Sequence, residues 1–125
     1  LYRQQLIEAA AENDEALNYL GYMLADKGVR LDEALKMIQK ALEKQPENGA
    51  YLDSYAWALF RLGKLKEAET QIRKALKTRI KDAVIYEHLG DILDASGKKE
   101  EAKTEWKKAL ELDPQNEKIK EKLGK

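Results

Sequence analysis

Cysteine is absent from the 125 residues, which excludes disulfides, thiolate metal sites and a cysteine nucleophile. Histidine occurs once, at His88, and serine twice, at Ser54 and Ser96, so one acid–base group has few nucleophiles to work with. The seven glycines stand singly, and none belongs to a clustered loop of the kind that cradles phosphate. A catalytic role is therefore not expected, and neither is a cofactor. No apolar run approaches the ~20 residues that span a bilayer. Charge of one sign is also missing. Lys+Arg and Asp+Glu each number 23, so neither a nucleic-acid footprint nor a polybasic membrane patch is evident. Val, Ile and Thr together contribute only 12 residues, too few for a sheet.

What remains is helix-forming. Ala, Leu, Glu, Lys and Arg supply 72 of the 125 residues, which predicts an all-α chain. The length suits one domain, able to bury roughly two-thirds of its extended-chain surface. Residue 1 is Leu1 rather than methionine, so an excised fragment is one reading, and any targeting segment would then be out of view.

The chain repeats itself. Ala34, Ala68 and Ala102 form one column; Ile38, Ile72 and Trp106 a second; Ala41, Ala75 and Ala109 a third; Leu42, Leu76 and Leu110 a fourth. Upstream columns run Leu17–Leu52–Tyr86, Leu20–Tyr55–Leu89, Gly21–Ala56–Gly90 and Leu24–Leu59–Leu93. The first repeat carries one extra residue between Gly28 and Ala34.

Each unit reads as two helices. Leu17, Leu20, Gly21 and Leu24 make one amphipathic stripe, and Ala34, Ile38, Ala41 and Leu42 make the next. Gly28, Gly63 and Gly97 fall between them, where a left-handed residue ends the first helix. Asn13, Asn48, Asp82 and Asn116 are placed as N-caps. Pro46 and Pro114 stop the second helix, whereas the middle repeat has Ile80 there and a softer break is expected.

Leu20-Gly21, Leu24, Ala34, Ile38, Ala41 and Pro46, matched by Leu89-Gly90, Leu93, Ala102, Trp106, Ala109 and Pro114, resemble the tetratricopeptide repeat (TPR) family. The resemblance implies a right-handed α-solenoid of three helix–turn–helix hairpins with a flanking helix at each end. The expected limits are 1–12 for the N-terminal flanking helix, then 14–47, 49–81 and 83–115 for the repeats. A C-terminal capping helix is expected over 116–125, although Leu123-Gly124 also fits the start of a fourth repeat. Lys120, in the column of Leu17, Leu52 and Tyr86, favours the solvating cap.

In stacked hairpins the first helices form a concave wall. The positions beside the core stripe are then Asn18, Tyr19, Tyr22 and Asp26; Asp53, Trp57, Phe60 and Arg61; and Glu87, His88, Asp91 and Asp94. Trp57 and Phe60 read either as ligand anchors or as packing between adjacent first helices. Glu87, His88, Asp91 and Asp94 could suggest a metal, but no second histidine or metalloprotease spacing supports one, and a solvated acidic face is the expectation.

The TPR resemblance implies a non-catalytic protein–protein interaction scaffold. One subset of that family grips a C-terminal carboxylate with Lys and Asn. Here Asn18 stands in place of the Lys and Tyr22 in place of the Asn, so that clamp is missing. Along the wall Asp26, Asp53, Glu87, Asp91 and Asp94 face Arg61 alone, while Lys36, Lys40, Lys74, Lys77, Lys103 and Lys107 are expected on the opposite face. The expected partner is a protein or peptide with basic and apolar or aromatic residues. Self-association, or a spacer role in a larger complex, is the alternative.

Overall fold

The computed structural model describes residues 13–78 and 82–124. The flanking helix expected over 1–12 and the break expected at Ile80 lie outside the described residues. Within them there are seven helices and no strand: α1 Asp14–Lys27, α2 Leu31–Lys44, α3 Gly49–Arg61, α4 Leu65–Lys77, α5 Ala83–Ala95, α6 Lys99–Leu112 and α7 Glu117–Leu123. Helices α1 and α2, α3 and α4, and α5 and α6 pack as pairs. Neighbouring pairs meet mainly where α1 and α2 touch α3, and where α4 touches α5; α7 packs on α6.

Local chemistry sets the helix ends. Asn13 accepts from the Ala16 amide at 3.0 Å, Asn48 from Tyr51 at 3.1 Å, Asp82 from Val84 at 3.1 Å and Asn116 from Ile119 at 3.1 Å. Each such cap stabilises its helix by about 1 kcal/mol. The second helix of each pair has no side-chain cap; Asp32 and Glu33, Glu67, or Glu100 and Glu101 in its first turn oppose the helix dipole instead.

All three within-pair turns close alike. Gly28, Gly63 and Gly97 adopt φ of 72°, 84° and 85°. The following amides then bond back to Leu24, Leu59 and Leu93 at 3.0, 2.9 and 2.9 Å, which satisfies carbonyls the helix leaves open. The extra residue of the first turn is absorbed at Arg30, which takes a left-handed φ of 50° before α2 begins.

The alanine columns at 34, 68, 102 and 41, 75, 109 are fully buried, as are Ile38 and Ile72, with Trp106 at 5% exposure. The small residue opposite them is a steric requirement. A Cβ on Gly21 would lie 2.6 Å from Ile38 Cγ1 and 3.0 Å from the Ala34 carbonyl, and one on Gly90 would overlap the Trp106 indole. One core column escapes the motif-based reading: Tyr51, Ile85 and Ile119 are all buried. That column explains the last helix. Ile119 enters the core while Lys120 turns outward and bridges Glu117 at 3.6 Å.

Candidate functional site

Asn18 and Tyr22 are one turn apart on α1, Asp53 and Trp57 one turn apart on α3, and Glu87 and Asp91 one turn apart on α5. These pairs occupy the same two columns of successive repeats, so stacking α1, α3 and α5 brings their columns together.

His88 is the centre of the cluster. Its Nδ1 donates to Asp53 Oδ1 at 2.8 Å, the tautomer a carboxylate acceptor selects. Its ring stacks on Trp57 with centroids 3.9 Å apart and planes at 19°, and it tilts against Tyr22 at 6.2 Å. Trp57 also stacks on Phe60 at 4.9 Å, and its indole N–H donates to Asp26 Oδ1 at 3.2 Å. Repeats one, two and three therefore meet through Tyr22, Trp57 and His88.

Burial separates the twelve expected wall residues. Tyr19, Asp26 and Arg61 are exposed, Tyr19 to 64%. Asn18, Tyr22, Phe60, Glu87, Asp91 and Asp94 are half-buried. Asp53, Trp57 and His88 are buried, at 8%, 7% and 6% exposure. Trp57 is thus not an open anchor. It joins Ala25, Ala34, Ile38 and Ala58 in a core cluster, the packing role between adjacent first helices.

The charge inventory also needs correction, because Arg61 is not the only cation on the acidic wall. Lys122 of α7 donates to Glu87 Oε2 at 2.6 Å and pairs with Asp91 Oδ1 at 2.9 Å; Lys99 pairs with Asp94 at 3.3 Å. The Trp106 indole also donates to Asp91, at 3.2 Å. Burial holds the Asp91 carboxyl above its usual value even with Lys122 beside it. For Lys122 burial acts downward, but the bonds to Glu87 and Asp91 outweigh it and raise the ammonium. A sequence signal for Lys122 exists: it follows Glu87 by the same 35 residues that separate His88 from Asp53. On the outer face Lys36, Lys40, Lys74, Lys77 and Lys107 are exposed and Lys103 half-buried.

The surroundings of Tyr22 are nevertheless acidic. Burial pushes the Tyr22 phenol up to about 12, and Asp26, Asp53, Glu87 and Asp82 add to the effect. Beside it, Asn18 Oδ1 is buried and finds no hydrogen-bond partner among the described residues. No group of three His, Asp or Glu side chains is placed to hold a metal ion among the described residues, and no helix there is long and apolar enough to cross a membrane.

Antiparallel helix pairs repeated in register, with polar residues of their first helices gathered on one wall, define a helical-repeat protein. The family described as "Psidin, N-terminal TPR repeats region" matches residues 22–124. The chain belongs to the tetratricopeptide repeat family. It is 45% identical over 60 residues to the TPR repeat-containing protein PA4667 of Pseudomonas aeruginosa; the match spans 48% of this chain and 10% of that protein. The first TPR of Spaghetti (RPAP3), solved with the HSP90 peptide SRMEEVD, superposes with a TM-score of 0.79 at 28% identity, over 90% of this chain and 89% of that one. The first TPR domain of human RPAP3 gives a TM-score of 0.81, also at 28% identity, over 90% and 88%.

Proposed function

We propose that this chain is a non-catalytic scaffold whose first-helix wall holds a peptide or partner segment. The observation that carries the reading is the surroundings of Tyr22: a half-buried phenol raised to about 12 by burial and by four carboxylates. Such a site favours an incoming N–H donor or cation. Asn18 Oδ1, one turn away and without a hydrogen-bond partner among the described residues, supports the same choice, because a buried carbonyl without a donor costs about 1–3 kcal/mol. The likeness to a TPR domain solved with a bound peptide supports the mode of binding.

That neighbour's peptide, SRMEEVD, is acidic. Asn18, Tyr22, Asp53 and Glu87 make the present wall a poor receiver for such a ligand. The preferred segment carries Lys or Arg beside an apolar or aromatic residue that packs on Tyr22 and Phe60. Charges steer and select while ring contacts supply most of the affinity. A peptide-array screen tests this. Hits enriched in Lys or Arg, weakened by Tyr22→Ala and by rising salt, are expected; hits enriched in Asp and Glu would overturn the reading.

A further inference from the structure

Two of the polar contacts between successive first helices share one spacing. Asp53 meets His88, and Glu87 meets Lys122, each 35 residues further on. The two occupants differ in how firmly they are enclosed. The His88 side chain is 8% exposed and held by rings of Tyr22 and Trp57. Lys122 comes from the seven-residue α7 and leaves 25% of its side chain exposed, against 16% for each of Glu87 and Asp91. Two carboxylates at that depth demand a cation, since an uncompensated buried charge is costly. The cation present is the less enclosed member of the group.

Building on the groove reading above, we propose that Lys122 is a built-in competitor: Glu87 and Asp91 form the seat for a lysine or arginine of the bound segment, and Lys122 occupies that seat in the free chain. The exchange needs only rotation of a flexible lysine stem, because Ile119, fully buried, keeps α7 anchored. An occupied seat lowers apparent affinity by the fraction of time it is open. The Trp106 indole N–H, bonded to Asp91, reports on its occupancy.

The test titrates the blocked tripeptide acetyl-Lys-Trp-Lys-amide into the full chain and follows the Trp106 indole resonance by NMR. Lys122→Met keeps the stem and removes the ammonium. If the seat is open about a tenth of the time, this variant binds about tenfold more tightly than the parent. Adding Glu87→Gln and Asp91→Asn abolishes the gain. Lys122→Arg, which pairs with both carboxylates through a fork, binds more weakly than the parent and provides the comparison should the methionine variant fail to fold. Binding by the parent with no gain in a folded Lys122→Met, or with no loss in Lys122→Arg, overturns the competitor and leaves the groove reading standing. No binding by parent or folded Lys122→Met overturns both.

Discussion

His88 and Asp53, 35 residues apart, are joined by a 2.8 Å hydrogen bond between two buried side chains, and the same imidazole stacks on Trp57. One histidine thus ties the third repeat to the second through both a polar and an aromatic contact. Removing either partner leaves the other buried without its bond, which costs about 1–3 kcal/mol. Asp53→Ala and His88→Ala should each lower the urea midpoint. The double variant should lose less than the sum, because the pair shares one interaction. Strict additivity in that cycle would show that the contact carries no coupling.

Gly90 has no room for a methyl group. Its Cβ would overlap the Trp106 indole, a broad ring locked at 5% exposure. Gly90→Ala should cost about 1–3 kcal/mol, as overpacking does in a filled core, despite the better helix propensity of alanine. Ala68→Leu should fall in the same range, since Ala68 and Ala56 are both fully buried in one cluster. Chemical denaturation measures both. Stability equal to the parent would mean that the pair of helices slides apart freely.

The short α7 is held by one fully buried side chain. Ile119→Ala should cost about 2–5 kcal/mol, the range for removing a buried isoleucine side chain beyond its Cβ. Removing 116–125 should cost at least as much and should expose Trp106, visible as a red shift of its fluorescence. An unshifted spectrum would place α7 outside the cooperative core.

Alkaline pH should loosen the fold through three groups of the same sign. Tyr51 donates to Asp14 at 2.6 Å, and burial with that bond pushes it up to about 12; Tyr22 is raised to about 12 chiefly by burial. The folded chain therefore keeps protons that the unfolded chain releases near the usual tyrosine value of about 10. The stability they contribute is full below that value and is lost as pH rises toward 12. Lys122, raised by Glu87 and Asp91, acts in the same direction. Absorbance titration of the phenolates should show a late phase reduced in Tyr51→Phe and in Tyr22→Phe. If both variants keep the full late phase, the assignment fails.

The 34-residue step was legible because the same columns recur, and the all-helical class, the caps at Asn13, Asn48, Asp82 and Asn116, and the turns at Gly28, Gly63 and Gly97 because each depends on contacts within a few residues. The alanine columns were legible for a related reason: a repeated helix pair must repeat the small residues at its closest approach. The candidate site was legible only as twelve positions on one wall. Which of them are open was decided by packing between repeats, where large rings compete for the same space. Trp57 was drawn into the core by Ala25 and Ala34, and His88 was enclosed by residues from two other repeats. Helical periodicity assigns a residue to a face but does not say what the next helix lays over it. Lys122 shows the limit most clearly. Its column marks it as a wall residue, yet its hold on Glu87 and Asp91 exists only because burying Ile119 brings α7 against the stack, close enough for one ammonium to meet two carboxylates.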